Sequence, residues 1–387
     1  MRKIYLDNNA TTRVAPEVLE AMLPCYQDVY GNASSIHVFG QEAKGLLDNA
    51  RLQVARLLGA EANEIVFTSG GTESDNLAIR GIVESAPGQG KHIITTLIEH
   101  HAVLHCCQAL QKTGVKVTYL PVDSEGRVDP AAVEKAITPE TVLITVMHSN
   151  NEIGTTQPLR EIGEIARSHD LYFHTDAVQA AGKVPLDVDN LGVDLLSISG
   201  HKFHAPKGVG ALYVRKGTRL RPLFFGGAHE RNRRAGTENI AQIVGLGAAA
   251  DLAMDGMEER IKAIGELRDH LECEVFNRIP RVHRNGSTEG RLPNTANLRF
   301  DLAESEGLVI NLDLAGVACS TGSACTSGSI EPSHVLLALG LCHDEAFNCV
   351  RFSLSRYSTR EEIDIVLNLL PEVVERVRHM SLHAAVK

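Results

Sequence analysis

The sequence predicts an α/β protein built on a mostly parallel, seven-stranded sheet in a large domain, followed by a smaller α+β domain. Three observations predict it. From about residue 40 to 255, short β-rich runs alternate with stretches of helical period, the pattern of strand–helix–strand units around a parallel sheet. Several runs end in Gly, Ser and charged residues, at the strand ends where open α/β sheets usually bind ligands. Beyond residue 280 the order changes to a strand, a helix, a small-residue loop, a strand and a long amphipathic helix.

The seven runs, in order, are NEIVFTSG (63–70), HIITTLIEH (92–100), KVTYLPV (116–122), TVLITVMHSN (141–150), LYFHTDA (171–177), DLLSISG (194–200) and GALYVRKG (210–217). Helices are expected between them, from Thr72 onward, over Ala102–Lys112 and over Pro158–His169. A long helical pattern at 238–279 reads as a connector that glycines 245, 247, 256 and 265 break in places. The smaller domain then holds the strand TANLRF, a helix over Glu304–Leu314, the strand CVRFSLS and a helix from Thr359 to about Met380. The stretch CSTGSACTSGS at 319–329 reads as an exposed, mobile loop.

Composition narrows function. The 387 residues carry a net charge of −10 and are 43% hydrophobic, which describes a folded chain with no cationic field for nucleic acid or an anionic membrane. No apolar run approaches the ~20 residues that cross a bilayer, and the start MRKIYLDNN lacks a signal-peptide core, so the cytoplasm is expected. The eight cysteines form no CxxC pair, and most are expected to be free thiols.

Three polar segments could carry chemistry. TSGGTESDN (68–76) follows a strand and opens a helix, so its N–H groups could seat a phosphate or could be a simple cap. HTDAVQA (174–180) puts Asp176 and Gln179 just past a strand; Asp176 could pair with a cationic ring nitrogen or cap a helix. SISGHKFHAPKG (197–208) offers Lys202 and Lys207 for a Schiff base with an aldehyde, and residue chemistry alone does not choose between them. No GxGxxG follows a strand, and GQGKH at 88–92 is not a P-loop, which disfavours dehydrogenases and NTPases. A phosphate seat, an acid and a lysine are what pyridoxal phosphate (PLP) needs.

The chain resembles the cysteine desulfurases of the nitrogen-fixation type, in the class V aminotransferase family of PLP enzymes with the aspartate-aminotransferase-like fold. The resemblance runs from YLDNNATT at residue 5 through SGGTESDN, EHHAV, NNEIG, HTDAVQ, SGHK, RAGTEN and GSACTSG to RFSLSRY. It implies that Lys202 holds PLP, that Gly71, Thr72, Ser199, Gly200 and His201 bind the cofactor around its phosphate, and that Asp176 keeps the ring nitrogen protonated. Gln179 and Asn151 would bond the ring oxygen side, and His100 would stack on the ring and relay protons, His101 being structural. Thr237 would reach the phosphate of a neighbouring subunit in a homodimer, Arg351 would clamp the substrate carboxylate, and Asn32 and His37 would line the entrance.

By the same resemblance Cys325 attacks the sulfur of L-cysteine, leaving L-alanine and a persulfide that an iron–sulfur scaffold protein accepts, with Cys325 a transient iron ligand. Cys319 is expected to be a strand residue. The expected division is a large domain at 15–255 and a small one at 1–14 and 256–387. Ala33 and Thr321 depart from the family's more usual Pro and Ser, which concerns loop stiffness. The GSACTS loop favours cysteine as substrate, and the short C-terminal end favours the nitrogen-fixation branch. The alternatives are another class V aminotransferase or lyase, or a non-catalytic sulfur carrier or scaffold-docking module.

Overall fold

A computed structural model describes residues 3–88, 91–321 and 331–385, with side chains to residue 380. Its strands, in chain order, are β1 (Ile4–Tyr5), β2 (Ile65–Thr68), β3 (His92–Thr96), β4 (Lys116–Leu120), β5 (Thr141–Thr145), β6 (Tyr172–Asp176), β7 (Leu195–Ser199), β8 (Gly210–Val214), β9 (Val282–Arg284), β10 (Thr295–Phe300), β11 (Val317–Ala318) and β12 (Cys349–Ser353). The expected seven-stranded sheet has the order β2-β8-β7-β6-β5-β3-β4. Only β8 runs against its neighbours. β2, β3, β7 and β8 are buried at every position, which explains why these runs read as near-continuous apolar or small-residue segments.

Helices Gly71–Ser85, His101–Gln111 and Leu159–Ser168 fall within two residues of their expected positions. The region 238–279 becomes two helices, Ile240–Met254 and Met257–Arg278, bent by 78°. Of the four glycines expected to break it, only Gly256 does so, at φ +58°. Gly245 lies inside a helix because a Cβ there would sit 2.7 Å from Met22 Sδ and 2.9 Å from Pro206 Cδ, and Gly247 likewise clears Ala50 Cα by a hypothetical 2.7 Å. Gly247 thus allows close approach of the helix Val38–Leu58, which periodicity had not singled out, and Gly245 that of the helix Pro16–Met22.

The apolar interior follows the chain. One buried cluster takes its residues from Ala15 to Ala253, and a second joins Ile4 and Leu6 to residues between Leu271 and Val377. The second is built on the sheet β12-β10-β9 and the parallel pair β1-β11. Cys319 falls just past β11 and is buried rather than being a strand residue.

A buried ion pair ties the first cluster together. Arg51 on the helix Val38–Leu58 makes two 2.7 Å bonds to Glu230, which also accepts from Phe67 N. Removing one partner of such a pair strands a buried charge, so Arg51→Met is expected to lower stability by about 3–5 kcal/mol in urea unfolding. Lys44→Met, which breaks a pair to Asp48 at the same 2.7 Å but with both side chains about half exposed, is expected to cost less than about 1 kcal/mol. Equal shifts of the two midpoints would contradict this account.

Candidate active site

The carboxyl ends of β2, β3, β5, β6 and β7 converge on one cavity of about 260 Å³. Gly70 ends the loop after β2 at φ +152° and gives the helix Gly71–Ser85 no side-chain cap, leaving its first N–H groups for another acceptor. A Cβ on Gly71 would stand 2.7 Å from Val178 Cγ2 and 3.5 Å from Ser199 Cβ. The missing side chain therefore keeps a cradle open between three strand ends. Gly71, Thr72 and Ser199 all line it.

Asp176, the last residue of β6, lines the cavity and is buried. Its Oδ1 accepts from Val178 N at 2.9 Å, but residues 178–183 form turns and no helix starts there, so the bond holds a turn and the helix-capping alternative does not apply. Burial pushes its carboxyl up to about 6, against the opposing effects of the Val178 N–H and the Lys202 cation. A cationic partner would stabilise the charged form.

The two candidate lysines are placed differently. A short 3₁₀ turn, Gly200–Lys202, carries Lys202 into the cavity, where Nζ donates to Asn9 O at 2.7 Å and Ala10 O at 3.0 Å. Lys207 is exposed and does not line the cavity. Gly200 is outside the lining as well: its N–H goes to Val209 O at 3.0 Å, and a Cβ would meet Ala205 Cβ at 2.9 Å. It serves the tight turn that aims Lys202.

His100 caps the helix His101–Gln111, its Nδ1 accepting from Ala102 N at 3.1 Å. The ring proton is then on Nε2. Burial, then Lys202 and the neighbouring histidines, holds the ring neutral with a pKa lowered to about 4. His101, expected to be structural, also lines the cavity and packs against His105 and His334 with ring centroids 4.9 and 4.8 Å apart. His201 reaches Thr11 Oγ1 at 3.1 Å, and burial with three nearby lysines lowers it to about 4.

Arg351 on β12 enters from the second sheet, fully buried and lining the cavity. Its guanidinium donates to Asp7 Oδ1 at 2.8 Å and Asn151 O at 3.0 Å. Asn151 and Gln179 line the cavity too. Gln179 Nε2 donates to Asn9 O at 2.9 Å, and its Oε1 accepts from Lys183 Nζ at 2.7 Å.

Other expected positions are elsewhere. Asn32 and His37 are exposed and engaged locally, Asn32 Oδ1 with Ser34 N and His37 Nδ1 with Gly40 N. Thr237 is exposed and outside the cavity lining. Cys325 lies outside the described residues. Sequence reasoning gave no individual roles to Asn9, Ala10, Asp7 or Lys183, which organise the floor of the cavity; the one signal was the polar run DNNAT directly after a short apolar strand.

The family model for aminotransferase class-V matches residues 4–366. The chain belongs to that family. Class-V aminotransferases use PLP as cofactor, and this donor set fits it: a lysine for the aldehyde, a buried carboxylate for the ring nitrogen and an uncapped helix start for the phosphate. Among the chain's relatives, a cysteine desulfurase IscS of Methanosarcina thermophila is 53% identical over 380 residues, covering 98% of this chain and 94% of the relative. The solved structure of a NifS-like protein superposes with a TM-score of 0.91 at 39% identity, covering 97% of this chain and 100% of the other. That of SspA in complex with cysteine gives 0.81 at 40% identity, covering 92% and 100%.

Proposed function

We propose that the protein is a PLP-dependent cysteine desulfurase that converts L-cysteine to L-alanine and passes the sulfur to Cys325 as a persulfide. The observation that carries this reading is the convergence of Lys202, Asp176 and the Gly71 helix start on one cavity that Arg351 also lines. The named cysteine desulfurase at 53% identity supports the choice of reaction within the family.

Bound PLP supplies an electron sink that draws density from the substrate's Cα and weakens its Cβ–S bond. Lys202 holds the cofactor and Asp176 holds the ring nitrogen's proton. Arg351 presents a planar fork to the substrate carboxylate, with Asp7 and Asn151 O fixing its plane. His100, neutral in the resting site, presents the N–H of Nε2 as a hydrogen-bond donor. The Cys325 thiolate attacks the substrate sulfur; the C–S bond breaks as the S–S bond forms, and the carbon takes up a proton to become the methyl group of alanine.

The reading includes a division into a large part at 15–255 and a small part at 1–14 and 256–387, supported by the two apolar clusters. It includes a homodimer. Ile36 and Phe225 stand 92% and 87% exposed, apolar area a second copy would cover, and Thr237 would serve the neighbour's cavity. Asn32 and His37 would border the entrance from there. An iron–sulfur scaffold protein accepts the sulfur, in the cytoplasm and in service of nitrogen fixation, with Cys325 ligating iron transiently.

The test is one turnover of PLP-loaded protein with L-cysteine. One alanine per sulfur transferred is expected, with a mass increase of about 32 Da, one sulfur atom, on the peptide bearing Cys325. Pyruvate and free sulfide without that adduct would overturn the reading.

A further inference from the structure

The cavity wall holds the start of a helix that lies far from it in sequence. Ser333 caps the helix His334–Ala338, its Oγ accepting from Val335 N at 3.2 Å and from Leu336 N at 3.3 Å. Both lone pairs are then taken, and the hydroxyl proton is left to donate elsewhere. It goes to Glu152 Oε2 at 2.6 Å, the length of a bond from a hydroxyl to a carboxylate. Glu152 lines the cavity, as Arg351 does, and both Glu152 and Ser333 are buried. The next residue makes a second tie, to the segment that carries His100. His334 Nε2 donates to Glu99 O at 3.0 Å, and its ring packs on that of His101 with centroids 4.8 Å apart.

What this tie does follows from chain connectivity. Ser320 pairs with Arg351 in both directions, Ser320 N to Arg351 O at 3.2 Å and Arg351 N to Ser320 O at 2.7 Å. The chain after Ser320 therefore leaves from one fixed point and returns to another at Ser333, each bonded to a residue that lines the cavity. Cys325 lies between them. At no more than about 3.6 Å per residue, it stays within about 18 Å of Ser320 and about 29 Å of Ser333. A thiol tethered at both ends meets its target at an effective concentration set by how its ends are held. We propose that Glu152 and Ser333 are a pair of positioning residues whose bond pins the chain where it returns from Cys325, and so governs delivery of sulfur to that thiol and not the binding of cofactor or cysteine. The inference rests on the reading of Cys325 as the sulfur acceptor.

The pin is rigid on both sides. The main chain of Glu152 is fixed independently of its carboxylate, its N donating to Asn150 Oδ1 at 2.8 Å and its O accepting from Asn297 Nδ2 at 3.1 Å. On the other side, Val335 and Leu336 are buried in one cluster with Ile98, Met147 and Ile153. Neither the cap nor this packing needs a carboxylate on Ser333, since the cap is complete with two backbone donors. Burial pushes the Glu152 carboxyl up, and the Ser333 hydroxyl, then Arg351 and His101, work against that rise. Breaking the bond from either end therefore removes one thing and leaves different things standing. Ser333→Ala loses the cap and the pin together, whereas Glu152→Leu loses the pin and keeps the cap.

The experiment mixes PLP-loaded protein with saturating L-cysteine and follows two signals through one turnover: the change in visible absorbance as cysteine engages the cofactor, and the sulfur adduct on the Cys325 peptide together with alanine. Ser333→Ala and Glu152→Leu are each expected to slow adduct and alanine formation about tenfold, the scale of a small misplacement at a reacting group. The absorbance change is expected to stay within about twofold of that of the unaltered protein. With both substitutions the protein is expected to be no slower than the slower single variant, because the same bond has been removed twice. Ser333→Thr keeps the hydroxyl and Glu152→Gln keeps an oxygen that accepts it, so both are expected to hold transfer within about threefold of the unaltered rate. Unslowed transfer in a folded Glu152→Leu protein would overturn the proposal. So would slowing that tracks the melting temperature, effects that multiply in the double variant, or an absorbance change slowed as much as transfer. Should the unaltered protein form alanine with no adduct on Cys325, the reading of Cys325 falls, and this inference with it.

Discussion

Lys202→Ala is expected to abolish both the visible chromophore of the PLP-loaded protein, at about 400–430 nm as the cofactor's own property, and desulfuration, slowing alanine formation by on the order of 10³-fold or more. The same change at Lys207 is expected to alter neither. The physical difference between the two lies in five residues. The turn Gly200–Lys202 folds back on Val209 O, which points Lys202 at the carbonyls of Asn9 and Ala10, while Lys207 follows Pro206 on the exposed side. A general loss of folding would mimic part of the result, because Lys202→Ala takes the Lys202 donor from the Ala10 carbonyl, whereas Asn9 O keeps that of Gln179. A buried carbonyl that loses its partner costs about 1–3 kcal/mol, so a thermal melt belongs beside the spectrum. A folded Lys202→Ala protein that keeps the wild-type chromophore would overturn the assignment.

That contrast also marks what the sequence could and could not convey. Strand and helix positions in 63–217 were legible because period and burial coincide there: strands buried at every position read as compact apolar runs, and each is followed by its turn residues. The broken helix at 238–279 was half legible. A glycine that ends a helix and a glycine that lets two helices touch look the same in one chain, and only the partner, Ala50 for Gly247 or Met22 for Gly245, separates them. The site divides the same way. Asp176, Gly71 and Lys202 stand at strand ends and were visible locally, whereas the Lys183–Asn9 bond spans 174 residues. Lys183 in particular gave no signal, since periodicity describes a residue's own element and not the loop that folds over it.

The choice of nucleophile can be argued from the thiols that surround it. Cys325→Ala is expected to cut alanine formation by on the order of 10³-fold, the scale on which a positioned reactive group contributes, while leaving the chromophore and cysteine binding in place. Seven other cysteines compete for the role, and the structure disqualifies them in two ways. Burial pushes the thiols of Cys106, Cys319 and Cys349 up to about 12 and raises Cys25 and Cys107 as well, so each is protonated at neutral pH and a poor nucleophile. Cys273 and Cys342 are exposed but fall outside the cavity lining, on the helix Met257–Arg278 and at the cap of a short helix after residue 341. Cys319 is the sharpest control, since it precedes Cys325 by six residues, follows β11 and lies close enough to Arg351 to be influenced by its charge. Its burial makes it a packing residue, so Cys319→Ala is expected to shift stability and to leave alanine formation within about twofold of the unaltered protein. Full-rate alanine release from Cys325→Ala would instead return the reaction to a class-V chemistry that needs no thiol, with the cavity and Lys202 unchanged.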